Sequence, residues 1–205
     1  MRTTIHCRRI VCLGALSIAL AAAGTTPLLH AQAARPASYP PAEIAVTFEH
    51  LNSNTLPAGC GCFGLNGGSA TFALRPRLSH LAGIFDFGVV HTGDITASNY
   101  TLTIVTFMVG ARYLLYTQPR RLQPYLQAAI GGAHSAGTLV EGYGAAGVSP
   151  GAGFAGSIGG GLDVRIGRRF AIRAIEADYL ATTFSNGVNN HQNNLRLDAG
   201  VVLHF

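Results

Sequence analysis

The chain has 205 residues, of which 48% are hydrophobic and only 11% charged, with a formal charge of +5. A soluble domain averages about 25% charged residues, so the composition argues against an ordinary water-soluble protein. The basic balance is also poor support for nucleic-acid binding, because Arg2, Arg8 and Arg9 sit in a segment expected to be removed.

That segment comes first in chain order. MRTTIHCRRI is basic, IVCLGALSIALAAA is apolar, and Ala31–Ala33 offers a small-x-small cleavage site. This is the layout of a secretory signal peptide over 1–33, with an apolar part too short for a comfortable membrane span. Without its three arginines the basic count falls from 14 to 11, against 9 acidic residues, a net charge of +2. The sequence contains no lysine, so all its formal positive charge is arginine. Residues 34–41 read as a Pro-rich periplasmic leader, and 42–205 as one domain. No stretch of the mature chain offers ~20 consecutive apolar residues for a membrane helix.

From residue 42 the apolar residues alternate, with turn signals between the runs, which is the pattern of strands. Eight segments are expected, over 42–51, 69–78, 81–92, 100–116, 124–136, 153–166, 170–184 and 194–205. The connections between them alternate between long or medium and tight. In an antiparallel meander this places tight turns at one end and long loops at the other, the asymmetry of bacterial outer-membrane barrels. The expected fold is therefore all-β, an eight-stranded antiparallel up-and-down transmembrane barrel.

Each strand has one apolar face. The opposite parity collects Glu49, Arg75, Arg77, Asp86, Arg112, Asp163, Arg165, Glu176, Asp178, Arg196 and Asp198. A soluble barrel would turn this charged face to water, and a membrane barrel would turn it to the lumen. The charged parity is otherwise mostly Gly, Ala, Ser and Thr, which suits the narrow interior of eight strands and favours the membrane version. Arg173 falls on the lipid parity, so it requires an interfacial position or a bulge. Pro76 requires a strand end or bulge. Trp is absent; Tyr113, Tyr116, Tyr125, Phe170 and Phe205 are candidates for a periplasmic aromatic belt, and Tyr100 and Phe184 for an outer one.

On these features, and above all on GGGLDVRIGRRFAIRAIEADYL and the terminal NNLRLDAGVVLHF, the chain resembles small outer-membrane β-barrels of the OmpA/OmpX type over about 40–205. The resemblance implies insertion by the barrel assembly machinery. Leu197, Ala199, Val201, Leu203 and the terminal Phe205 would serve as the recognition signal. With the sequence ending at the eighth expected strand, the wall-binding domain of longer OmpA-like relatives is not expected here, and the resemblance supplies no shared activity.

Other groups carry weaker chemistry. Mixed charges in a filled lumen point to an ion-paired plug rather than a conducting pore. Cys60 and Cys62 would be the only thiols after cleavage. Their C-x-C spacing admits a strained disulfide, a redox pair or part of a metal site, and a loop-constraining disulfide or intermolecular link is expected. His134-Ser135 suggests a hydrolase pair, but adjacent strand residues point to opposite faces and no acid or G-x-S-x-G setting accompanies them. His50, His91 and His191 lie near the loop end with no ligand set. The Gly-rich runs GSIGGGLD and AIGGAH lack the lysine and helix of a phosphate loop.

The expectation is a non-enzymatic outer-membrane protein without catalytic, metal or cofactor residues. It would act structurally or through its extracellular loops on an unidentified ligand, in contact with outer-membrane lipids and not with nucleic acid. A narrow porin-like channel is the alternative, and a lipid-modifying barrel enzyme a more distant one.

Overall fold

A computed structural model describes residues 40–53, 63–76, 79–95, 100–117, 120–137, 151–184 and 191–205. The signal segment, Arg77, Cys60 and Cys62 lie outside these residues, so the readings made on them do too. Eight strands are present: β1 (Ala42–Ser53), β2 (Phe63–Leu74), β3 (Leu81–Ile95), β4 (Tyr100–Leu114), β5 (Leu122–Ala136), β6 (Gly151–Arg165), β7 (Phe170–Thr182) and β8 (Gln192–His204). Each pairs antiparallel with the next, and β8 pairs back onto β1 from Glu43↔His204 to Asn52↔Leu195, closing the sheet. Closure leaves no strand edge with unpaired backbone groups. The backbone N–H of Phe205 donates to the carbonyl of Ala42 at 2.9 Å and fastens the foot of this seam.

The pairing fixes the shape. A row of directly paired residues runs from Ala42 through Leu74, Gly83, Ala111, Ala128, Ile158, Tyr179 and Leu195, and returns to β1 at Asn52. It arrives ten residues along the strand it left. With a rise of ~3.3 Å per residue and a strand spacing of ~4.8 Å, this stagger tilts the strands by about 40° and gives a backbone radius of about 8 Å. Ten residues at that tilt climb about 25 Å, the height of the apolar band of an outer-membrane barrel.

One strand differs from its expected bounds. β2 runs Phe63–Leu74 rather than 69–78. Its glycine-rich start looks like loop in the sequence, yet every residue from Phe63 to Leu74 pairs with β1. Gly67 is needed there, since a Cβ would come within 1.9 Å of the Val89 carbonyl oxygen on β3. Pro76, which has no N–H to donate, lies just past the end of the strand.

β7 contains the bulge that Arg173 called for. Asp163↔Arg173 is followed by Leu162↔Ile175 on one side, and Arg173↔Gly200 by Glu176↔Asp198 on the other, so β7 carries one extra residue at Ala174–Ile175. The extra residue restores the inward direction to Arg173, which is 1% exposed.

Outside, the barrel is apolar. Val46, Phe48, Phe85, Phe107, Val109, Ile130, Ile158, Ile172 and Val201 all stand exposed on the wall. Tyr113, Tyr116, Phe170 and Phe205 are exposed near the tight-turn end. Two aromatics expected in belts are instead internal. Tyr125 is buried in the lumen, because its parity is that of Gln123 and Gln127. Phe184 is buried in the apolar cluster at the loop end. The side chain of Tyr100 is outside the described residues.

Candidate functional site

The candidate site is the lumen, built from the inward parity of all eight strands. Seven of the chain's nine acidic residues line it: Glu43, Glu49, Asp86, Asp163, Glu176, Asp178 and Asp198. Three buried arginines face them from β4, β7 and β8: Arg112, Arg173 and Arg196, each 1% exposed. A guanidinium removed from water needs carboxylate partners on its several N–H groups, and each of the three finds more than one.

Arg196 reaches Asp86 at 2.7 Å and Asp178 at 2.5 Å, with Glu176 at 3.6 Å and Asp198 at 3.5 Å. Arg173 grips both oxygens of Asp163, at 3.0 and 3.3 Å, and meets Glu176 at 2.9 Å. Arg112 contacts Glu43 at 2.5 Å and donates from Nε and Nη2 to the Gln127 carbonyl at 3.1 and 2.9 Å. Glu176 is the hub, since all three arginines approach it. The Tyr125 hydroxyl donates to the same carboxylate, and its ring lies 4.1 Å from the Arg112 guanidinium and 5.1 Å from that of Arg173. The ring thereby offers a cation–π contact to both guanidiniums.

Neutral groups complete the set. Thr47 and Ser69 donate to Asp198 at 3.1 and 3.0 Å, Thr71 donates to Asp86 at 2.9 Å, and the Gln127 amide donates to both Glu176 and Asp178. Space for these groups comes from glycine. A Cβ on Gly161 would lie 2.5 Å from the Tyr125 hydroxyl, and one on Gly88 would lie 2.6 Å from a Glu49 oxygen.

Toward the loops the lumen changes character. Leu51 follows Glu49 on β1, Val90 lies beyond Asp86 on β3, and Leu180 follows Asp178 on β7. With Leu65, Leu102, Ile104, Ala133 and Phe184 they form a buried apolar layer. The lumen is thus filled twice, by ion pairs below and above by packed hydrocarbon beside the buried polar side chains of Ser53, Ser135, Thr182, Gln192 and Asn194.

The sequence-derived residues fall as follows. Glu49, Asp86, Arg112, Asp163, Glu176, Asp178, Arg196 and Asp198 are buried together in the lumen. Arg75 and Arg165 sit at the tight-turn end, where Arg165 donates to the Arg168 carbonyl at 3.0 Å. Glu43, Arg173, Tyr125 and Gln127 join the network without having been picked out. Inward parity would have found Tyr125 and Gln127, and an unsupported arginine in mid-strand was the signal for Arg173. His134 is exposed while Ser135 is buried, so the two occupy opposite faces of β5. His50 bonds Asn66 at 2.7 Å and His91 bonds Thr103 at 2.8 Å, both on the outer wall. Among the described residues no three His, Cys, Asp or Glu side chains converge as a metal site.

No protein-family model matches this sequence, and no curated protein is significantly similar to it. Solved structures are similar in fold. The crystal structure of Neisserial surface protein A matches with a TM-score of 0.57 at 16% identity, over 80% of this chain and 97% of that one. The outer membrane protein OprG from Pseudomonas aeruginosa matches with a TM-score of 0.52 at 11% identity, over 82% of this chain and 97% of that one. The fold is that of the small outer-membrane β-barrels. Eight closed antiparallel strands, tight turns at one end and an apolar outer wall are the features this chain holds in common with the fold.

Proposed function

We propose that the protein is an integral outer-membrane barrel with a sealed lumen, exported behind a cleaved signal peptide, that acts through its extracellular loops. The observation that carries this reading is the inversion of polarity across the wall. Arg112, Arg173 and Arg196 are 1% exposed, while Ile158, Ile130 and Phe48 on the outside are about 60% exposed. In water such a wall would be an apolar patch far larger than monomers tolerate, whereas in a bilayer it is the favourable surface.

A sealed lumen leaves the loops as the working surface. The connections 54–62, 96–99 and those joining β5 to β6 and β7 to β8 all leave from the same end. That end would face outward, with the tight turns and both barrel termini in the periplasm. Leu197, Ala199, Val201, Leu203 and Phe205 would be the segment read by the assembly machinery, since they form one outward stripe along the strand that closes the barrel. The paired lumen and its apolar cap speak against a solute channel, and the opposite directions of His134 and Ser135 speak against a hydrolase pair there.

The test is an epitope inserted between residues 140 and 148. The tagged protein should fractionate with outer membranes, react with antibody on intact cells and show heat-modifiable gel mobility. A protein that stays soluble without detergent and lacks that mobility shift would contradict the reading.

A further inference from the structure

The tight-turn end is strongly and one-sidedly basic. The turn from β4 to β5 carries Arg120 and Arg121, and the turn from β6 to β7 carries Arg168 and Arg169; all four are exposed. These turns are neighbours. The N–H of Arg165 donates to the Arg121 carbonyl at 2.8 Å, the N–H groups of Ile166 and Gly167 donate to the Phe170 carbonyl, and His204 N–H donates to the Arg169 carbonyl at 2.8 Å. The four arginines therefore fall on adjoining turns in one arc spanning β4 to β7, on backbone fixed by hydrogen bonds. Arg120 is further held over the Tyr116 ring at 4.3 Å.

Among the described residues no Asp or Glu side chain forms an ion pair with these four arginines. The acidic residues nearest this end, Glu43 and Asp163, turn into the lumen and are occupied by Arg112, Arg173 and His204. The arc is also continuous with the apolar wall. Leu122 follows Arg121 and is 54% exposed, Ile166 precedes the second pair at 68%, and Phe170 follows Arg169 at 59%. Each arginine pair is thus bordered by a residue that faces acyl chains. A guanidinium held at that boundary meets lipid phosphates at their own depth, with a planar donor fork that matches two phosphate oxygens.

We infer that this arc is a binding surface for anionic phospholipid headgroups of the adjoining leaflet. The inference rests on the membrane placement proposed above. An anionic cell-wall polymer fits less well, because turns this short keep the arginines at the membrane surface rather than reaching away from it.

The test uses the refolded full chain in bilayers of phosphatidylcholine containing spin-labelled phosphatidylglycerol or spin-labelled phosphatidylcholine, with electron paramagnetic resonance reporting which lipid contacts the barrel. The native chain should favour phosphatidylglycerol, and the preference should fall as salt is raised. Near a membrane each arginine is worth about fivefold, so the R120Q/R121Q/R168Q/R169Q variant should lose the preference by about tenfold or more. The variants R120Q/R121Q and R168Q/R169Q should each lose part of it, which keeps the test available if the quadruple variant fails to fold. An equal affinity of the folded native chain for both lipids, or a folded quadruple variant that keeps its preference, would overturn the inference while leaving the membrane placement intact. Loss of binding to isolated cell wall with unchanged lipid preference would assign the arc to the polymer and overturn it likewise. A native chain that does not enter bilayers at all would remove the membrane placement itself, and this inference with it.

Discussion

At the scale of single residues, the structure turns on how three guanidiniums are satisfied away from water. Arg196 touches Asp86, Glu176, Asp178 and Asp198, so its removal takes a guanidinium from buried Asp86, Asp178 and Asp198, while Glu176 keeps Arg112 and Arg173. Breaking a buried ion network by deleting one partner costs about 3–5 kcal/mol. Arg196→Met is therefore expected to destabilise the folded barrel by about that amount, read as a shifted urea midpoint by circular dichroism in detergent micelles. The lipid face has the opposite rule. Ile158 lies at the centre of β6 and is 63% exposed. Ile158→Arg should cost about 2–4 kcal/mol in a bilayer, measured by the same titration in lipid vesicles. An equal and negligible effect of that substitution would mean the outer wall faces water. Period-two alternation made most of these assignments legible, because strand side chains must alternate sides. Tyr125 suits an interfacial belt by its aromatic character, but its parity, shared with Gln123 and Gln127, turns it into the lumen. Arg173 remained ambiguous because parity counting assumes one residue per ladder step.

At the scale of strands, the bulge in β7 makes a specific claim. Without Ala174, Arg173 would pair with Gly200, Ile175 with Ala199 and Glu176 with Asp198, and the Asp163↔Arg173 and Leu162↔Ile175 pairs would become consecutive. Every side chain would keep its face. Deletion of Ala174 is thus expected to leave a folded, heat-modifiable barrel. Deletion of Ala177, which immediately precedes Asp178 on an unbulged stretch, reverses the parity of everything beyond it on one side and should abolish that mobility. Gel mobility of the two refolded deletions compares them directly. The strand count, order and most boundaries were readable from alternation and turn residues, whereas the start of β2 was not. Glycines at 64, 67 and 68 look like loop in one dimension, and only their pairing with β1 makes them strand.

At the scale of the molecule, the ten-residue stagger, the apolar band of about 25 Å and the filled lumen belong to one design. A barrel of about 8 Å backbone radius has room for side chains or for a narrow water column, and here side chains take it. The charged half of that filling was legible, since acids and arginines fell on one parity. The apolar half was not, because Leu51, Val90, Leu102, Ile104 and Leu180 share that parity and look like lapses of the pattern until they meet across the barrel. In the proposed sealed barrel the two layers together would deny ions a path, one by occupying the lumen with paired charge and the other by narrowing it with packed hydrocarbon. Single-channel recording on planar bilayers, with folded protein confirmed in the membrane by its heat-modifiable mobility, tests this most directly. The sealed barrel predicts inserted protein with no stable unitary conductance. Reproducible ohmic steps from the pure, folded native chain would contradict it.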